Sequence, residues 1–270
     1  MFGDAMTNAV SLEDRPAGYE VARQCITVQQ RAAKPTALGR FFGVSPVPTE
    51  AASWYTGTLG EMRVGALLRG LSSEWTVLHS IPIGTRGSDI DHVVIGPGGV
   101  FTINTKRHRA KQIWLGEHRL LVSGHKTDHL RNARSEAERA SLLLGRALGT
   151  HVKVVPMVVL VAIGQMTIRQ RPVDVAVLRD SQLVRWLRKR KRVLLPEQVD
   201  SISRAARDSR SWQLGAVPPV DRAYLAGFEL LRQMEERALS IRRVWIIAGG
   251  AAAIIAALNI LPVFLHSLLG

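Results

Sequence analysis

The feature that most constrains this chain is a run of 22 residues near its C-terminus, VWIIAGGAAAIIAALNILPVFL, without one ionisable side chain. As an α-helix this run would be about 33 Å long, close to the hydrocarbon thickness of a bilayer. A helix in a globular core seldom stays uncharged on every face over such a length, so the buried-helix alternative is the weaker one. The sequence therefore predicts one transmembrane helix, residues 244–266.

The flanks of this run predict its orientation. Arg242 and Arg243 come directly before it and only HSLLG follows it. Because cytoplasmic flanks are enriched in Lys and Arg, we expect a single-pass protein of the cell membrane with its N-terminal domain in the cytoplasm. The single cysteine, Cys25, excludes an internal disulfide or a multi-thiolate zinc site and fits a reducing compartment.

The positive charge of the chain is confined to one segment. The formal net charge is +14, and residues 101–192 alone contain 20 Lys and Arg against 6 Asp and Glu, so the flanking segments sum to zero. A basic excess concentrated in this way is typical of a surface that binds nucleic acid. Anionic lipid head groups, or solubility alone, are the alternatives.

The remaining chain predicts a mixed α/β domain. Residues 1–50, which mix charges and prolines, are predicted to be an irregular N-terminal segment. A helix follows at TLGEMRVGALLRGL, with Thr58 as a possible cap, and three strands at WTVLHSIPI, DIDHVVI and VFTINTK. A second helix and a near-continuous apolar strand, VKVVPMVVLVA, complete the pattern. Residues 166–215 are predicted to be a basic α/β extension and residues 216–243 an amphipathic helix or linker.

The GPGG turn places four polar residues together. If the two strands that flank this turn close directly on it, Asp91 lies opposite Asn104 and Asp89 lies opposite Lys106. Side chains alternate along a strand, so all four share one face, with directly opposed Cβ atoms about 5 Å apart. The hairpin therefore predicts a polar cluster near its open end.

The first predicted helix adds a carboxylate to this cluster. Glu61 shares a helical row with Val64 and Leu68, so it lies on an otherwise apolar stripe and needs a partner. Lys106 or a cation would supply one, unless Glu61 only stabilises the helix dipole. Mg²⁺ prefers carboxylate oxygens, and phosphodiester hydrolysis needs such a cation and a positive group near the developing charge.

These segments resemble a known family. GEMRVGALLRGL and SDIDHVVIGPGGVFTINTK are similar to the nuclease-related domain (NERD), a branch of the PD-(D/E)xK restriction-endonuclease-like superfamily, over residues 57–162. The resemblance implies a mixed central sheet flanked by helices, here over residues 51–165, and a nuclease that uses Mg²⁺ or Mn²⁺. It assigns catalytic roles to Glu61, Asp91, Asn104 and Lys106, of which the first three would bind the metal.

Asn104 departs from the family pattern, which has Glu or Asp at this position. An amide oxygen can coordinate a cation but brings no charge and cannot act as a base. Two alternatives to a nuclease are therefore a catalytically impaired module that binds nucleic acid and a membrane-associated scaffold with a lipid-facing basic surface. The expected partner is nucleic acid, DNA more than RNA. The predicted contact residues are Arg107, Arg109, Lys111, Arg188, Lys189 and Arg190.

Overall fold

The structure is a computed structural model that describes residues 11–83, 88–212 and 217–269, with only the backbone described at residues 88 and 259–269. The chain divides into two compact units, Met1–Arg23 with Ser53–Asp221, and Gln24–Ala52 with Arg222–Gly270. The helices are α1 (Tyr19–Arg31), α2 (Ala37–Phe41), α3 (Ala52–Leu68), α4 (His129–Leu148), α5 (Leu183–Arg188), α6 (Pro196–Arg207) and α7 (Arg222–Leu269). The strands are β1 (Thr76–Ile83), β2 (Ser88–Gly96), β3 (Gly99–Arg107), β4 (Ile113–Leu115), β5 (Leu120–Val122), β6 (His125–Thr127), β7 (Val154–Val161), β8 (Met166–Ile168) and β9 (Ala176–Arg179).

The described strands form two mixed sheets, where the sequence predicted one central sheet. The larger sheet has the order β1-β2-β3-β7-β9, with β1, β2 and β3 antiparallel in turn and β3, β7 and β9 parallel. The smaller sheet has the order β6-β5-β4-β8. Helices flank the sheets, so the prediction of a mixed α/β fold is confirmed.

The apolar residues of β7 explain its position inside the larger sheet. Met157 and Val159 pack with Val64 and Leu68 of α3 on one face of the sheet. The alternate residues, including Leu160, pack on the other face against the smaller sheet and the start of α4. A strand with apolar side chains on both faces must be covered on both, and α3 and α4 provide that cover.

Two predicted elements differ from the structure. Within the segment predicted to be irregular, α1 buries Tyr19, Ala22, Cys25 and Ile26, which recur at helical spacing between charged residues. The first predicted helix is α3, which begins before Thr58. The Thr58 hydroxyl donates to the Trp54 carbonyl inside the helix and so does not cap it.

The segment 166–215 does not stand apart from the domain. Its strand β9 pairs with β7 at the edge of the larger sheet, and its strand β8 pairs with β4 in the smaller sheet. The residues of α6 join the core beneath β1 and β2. This segment therefore completes the unit that the first two-thirds of the chain begin.

The helix α7 is continuous through the predicted linker and the predicted membrane span. Among the described residues, Arg222–Leu258 is the one helix whose length and composition suit a membrane crossing, and none of its most apolar part is buried. Ile246 and Ile247 are 67% and 72% exposed. Such exposure of apolar side chains is compatible with lipid as their surroundings.

Candidate active site

The β2–β3 hairpin has the register that the sequence predicts. Ile95 pairs with Val100, and the ladder continues to His92 and Ile103. Beyond that pair the Asp91 carboxylate turns to the other strand, where its Oδ2 accepts a hydrogen bond from the Thr105 amide at 2.5 Å. This bond fixes Asp91 at the open end of the hairpin.

Asn104 has a partner that the sequence did not indicate. Its Nδ2 donates to Oε1 of Glu136, a residue of α4, at 2.5 Å. Asn104 is buried and Glu136 is partly buried. A carboxylate therefore lies next to the amide that replaces the acidic residue of the family pattern.

Glu61 reaches the same place from α3. Gly60 allows this approach, because a Cβ there would lie 3.1 Å from the Cβ of Arg107 and 3.3 Å from Cγ2 of Thr105. The Glu61 side chain is buried, with 4% of its surface exposed. Helix α3 thus packs closely on β3 and brings its carboxylate to the end of the hairpin.

Burial, together with neighbouring carboxylates for three of the four groups, raises the pKa values of the acidic residues at this site. Burial, followed by the charges of Asp91 and Asp89, holds the pKa of Glu61 well above its usual range. Burial and Asp91 raise the pKa of Asp89 to about 7 and that of Glu136 to about 8. Burial also raises the pKa of Asp91, against Lys106 and the hydrogen bond from Thr105. The four carboxyl groups therefore form one electrostatic cluster.

Lys106 is the basic group of this cluster. Its ammonium lowers the pKa of Glu61, Asp91 and Glu136, in opposition to burial. Burial outweighs this single ammonium, so the pKa values of these carboxyl groups remain raised. A further cation at this site would stabilise the ionised carboxylates.

The oxygen atoms of the cluster are of the chemical type that hard divalent cations prefer. Within the described residues, one oxygen each of Glu61, Asp89, Asn104 and Glu136 is buried without a hydrogen-bond partner. Such atoms are costly unless something binds them, and carboxylate and amide oxygens are the ligands that Mg²⁺ and Mn²⁺ prefer. No three His, Cys, Asp or Glu side chains of the described ranges are arranged to hold an ion as they stand.

Comparison with protein families agrees with this geometry. The family model for the nuclease-related domain matches residues 56–161, from α3 to the end of β7. Residues 56–161 are therefore similar to a nuclease-related domain. The match contains Glu61, Asp91, Asn104 and Lys106, and it also contains Glu136. No curated protein and no solved structure matches the chain significantly.

Three of the residues predicted to contact nucleic acid lie beside the cluster. Arg107, Arg109 and Lys111 follow Lys106 directly at the end of β3, and Arg109 and Lys111 are exposed. His108 lies in the same segment, and its Nε2 is 3.0 Å from Nε2 of His129. Burial and the neighbouring lysines lower the pKa of His108. The segment 107–111 is thus a basic rim next to the candidate site.

The other three predicted contact residues lie elsewhere. Arg188 donates to the Gly70 carbonyl, and the Arg190 guanidinium stacks 4.6 Å above the Trp186 ring. The chain after them is bound to the turn of the β2–β3 hairpin, where the Val193 amide donates to the Pro97 carbonyl at 2.8 Å. That turn is at the far end of the hairpin, roughly 17 Å of strand from the open end. The structure does not bring the run 188–190 to the cluster.

Proposed function

We propose that the chain is a membrane-anchored nuclease that hydrolyses phosphodiester bonds of nucleic acid, DNA more than RNA, with Mg²⁺ or Mn²⁺. The observation that carries this proposal is the cluster of Glu61, Asp89, Asp91 and Glu136 around Asn104 and Lys106 in a nuclease-related domain. The exposed apolar part of α7 supports an anchor in the cell membrane. The Arg242–Arg243 pair favours a cytoplasmic position for the nuclease-related domain.

The oxygens of Glu61, Asp91 and Asn104 are the proposed cation ligands. A divalent cation bound there would polarise the scissile phosphate and supply an activated water. Lys106 places an ammonium near the charge that develops on the phosphate, which is the position where a fixed cation stabilises a transition state most. The hydrogen bond from Thr105 holds Asp91 in place for this role.

Glu136 supplies what Asn104 lacks. An amide cannot take a proton from the attacking water, whereas a carboxylate with a pKa of about 8 is suited to that task near neutral pH. Its Oε1 accepts from Asn104 and its Oε2 has no hydrogen-bond partner in the described part of the chain. We therefore assign to Oε2 of Glu136 the role of proton acceptor.

A nucleic-acid-binding module without cleavage is the second candidate. The neutral side chain at position 104 favours it, as does the lack of a ready three-ligand set among the described residues. In that case the basic segment 107–111 would bind phosphates as it does in the nuclease, because phosphate contacts need only positive charge. A binding assay therefore does not distinguish the two candidate functions, whereas a cleavage assay does.

Cleavage by the full chain in detergent micelles tests the proposal. Labelled single- and double-stranded DNA and RNA are incubated with Mg²⁺, with Mn²⁺ or with chelator, and the Lys106→Ala variant is compared with Lys189→Ala. The second variant removes the same charge from an exposed position at the far end of the hairpin. We expect metal-dependent cleavage that Lys106→Ala lowers by about 100-fold or more and that Lys189→Ala leaves within about twofold.

The opposite results have equally clear meanings. Cleavage that persists in Lys106→Ala would point to a contaminating nuclease and would contradict the proposed site. Binding of nucleic acid without cleavage in any metal would establish the binding module instead.

A further inference from the structure

The segment 36–45 presents an unusual apolar surface in the unit that contains α7. Leu38, Phe41, Phe42 and Val44 are 67%, 57%, 46% and 50% exposed. They are joined by Trp245, which is 40% exposed. A cluster of large apolar side chains on the surface of a protein in water marks an interaction site. We call these five residues the aromatic wedge.

The wedge is held against α7 by specific contacts. The rings of Phe41 and Phe42 each lie 5.1 Å from the Trp245 ring, and Nε1 of Trp245 donates to the Phe41 carbonyl at 2.8 Å. The Arg242 guanidinium donates twice to the Gly43 carbonyl, at 3.1 and 2.8 Å. The apolar surface is therefore a built feature of this unit.

Glycine at position 43 makes this attachment possible. Its φ of +72° is unfavourable for other residues, and a Cβ there would lie 2.4 Å from the Ala238 carbonyl oxygen. The Thr36 side chain caps α2 by accepting from the Gly39 amide at 3.1 Å. The short helix α2 is thus positioned to present Leu38 and Phe41 outward.

The position of the wedge along α7 indicates what covers it. Trp245 is the second residue of the uncharged run 244–265, so the wedge lies at the level where the proposed span begins. Its apolar surface continues into Val244, Ile246 and Ile247, which are also exposed. Aromatic side chains at that level are characteristic of the boundary between head groups and acyl chains.

The basic side chains around the wedge also favour a lipid surface. Lys34, Arg40, Arg242 and Arg243 belong to the same unit and are exposed. Basic side chains beside an apolar surface favour an anionic lipid surface, since the apolar groups enter the interface while the cations stay at the phosphates. A protein partner would not require this continuity between the wedge and the exposed apolar helix.

We propose that the aromatic wedge inserts into the head-group region of the same leaflet that α7 enters. It would thereby form a second, interfacial attachment to the bilayer. This inference rests on the proposed membrane anchor and not on nuclease activity. The wedge would fix the entry of α7 at Trp245 and restrain its tilt.

Fluorophores at single cysteines in the full chain test this proposal. In a Cys25→Ser background, a nitrobenzoxadiazole label is placed at Leu38→Cys, at Ala252→Cys within the span, or at Val173→Cys, an exposed position of the other unit. The protein is reconstituted in vesicles of phosphatidylcholine and phosphatidylglycerol. Quenching by lipid-borne nitroxides and by aqueous iodide is then measured.

We expect the label at position 38 to be quenched by shallow nitroxides and its iodide quenching to be at least about fivefold weaker than at position 173. Adding Phe41→Asp and Phe42→Asp should restore iodide access at position 38 and leave position 252 in lipid. The same charges at two exposed positions of the other unit, Val193→Asp and Leu195→Asp, should change neither label.

Three results would overturn the proposal. Iodide access at position 38 equal to that at position 173, with position 252 in lipid, would refute the wedge and leave the anchor and the nuclease unaffected. Protection from iodide without nitroxide quenching would show that protein covers the surface instead of lipid. A label at position 252 outside lipid would refute the anchor and the wedge together, whereas cleavage measured in micelles would still report on the nuclease.

Discussion

Glu136 places a carboxyl group beside Asn104, where the family pattern has an acidic residue. The amide would leave the strand site short of one negative charge, yet its Nδ2 binds a carboxylate from α4 at 2.5 Å. A carboxyl group therefore lies at almost the same place, carried by a helix in place of the strand. Metal binding and proton transfer depend on where the charge lies and not on which element bears it.

Replacement of Glu136 by Gln tests the role of this carboxyl group in cleavage. The Gln carbonyl can still accept from Asn104, so the fold is retained while the charge and the proton acceptor are lost. We expect cleavage to fall by about 100-fold, a loss typical of removing one group that acts on the transition state. Glu138→Gln, at an exposed position of the same helix, is the matched control and should cleave normally. Equal rates for both variants would reduce Glu136 to a structural partner of Asn104.

A charge exchange then tests whether the place of the carboxylate matters. Asn104→Glu alone puts two carboxylates where one hydrogen bond now lies, so the variant should be destabilised without metal. Combined with Glu136→Gln it restores the original charge and the family pattern. We expect the double variant to recover at least about tenfold of the activity lost in Glu136→Gln. Failure to recover would show that the carboxylate must come from α4.

The raised pKa values predict how stability depends on pH. Glu136 has a pKa of about 8 in the folded chain and an ordinary value of 4.5, so the folded state holds a proton that the unfolded state releases. Stability therefore falls as pH rises from 4.5 and levels off above about 8. Thermal melts in chelator from about pH 6.5 to about pH 9 should show this fall, and Glu136→Gln should reduce it. Mg²⁺ should offset the fall at high pH, and an equal fall in the variant would contradict the assignment.

At the scale of elements, the features that the sequence predicted correctly are those that depend on local sequence pattern alone. The β2–β3 register follows from strand alternation and the length of the GPGG turn, and the pairing of His92 with Ile103 confirms it. Helix α4 and strand β7 were recognisable because each has a strong period or apolar run. The meeting of Asn104 with Glu136 was not predictable in this way. It depends on how α4 packs on the sheet, 32 residues along the chain.

The position of the basic residues in space also depends on the fold and not on local sequence pattern. The run 188–190 looks like a phosphate-binding element in the sequence, but the pairing of β9 with β7 carries it to the far end of the hairpin. Only the segment 107–111 follows the site residue Lys106 directly. The contact of the run 188–190 with nucleic acid therefore stays a prediction, at a surface away from the carboxylate cluster.

This difference gives a prediction for two basic elements. Arg109→Gln with Lys111→Gln removes two charges beside the cluster, and Lys189→Gln with Lys191→Gln removes two exposed charges away from it. We expect the first pair to weaken nucleic-acid binding by about fivefold to tenfold and to reduce its salt dependence, and the second to change affinity less than about twofold. Fluorescence anisotropy over a series of salt concentrations measures both. A larger effect of the second pair would move the interface to the hairpin turn.

For the whole molecule, the two proposed functions belong to separate parts of the chain. The carboxylate cluster lies within residues 56–161, which the family model of the nuclease-related domain matches, while the exposed apolar residues lie on α7. The basic excess lies in residues 101–192 and the uncharged run begins only at residue 244. Anchoring should therefore be removable without loss of cleavage.

Two arginines in the span test this separation on the full chain. In Ala252→Arg with Ile254→Arg, each charge opposes insertion by about 3 kcal/mol, since uncompensated arginine is unfavourable in hydrocarbon. The parent chain should stay with membranes through an alkaline wash and the variant should be released, while both cleave at the same rate in micelles. Val173→Arg with Val193→Arg places the same charges at exposed positions outside α7 and should remain anchored. Retention of the span variant would exclude α7 as the anchor, and loss of its cleavage would show that the nuclease-related domain depends on the membrane segment.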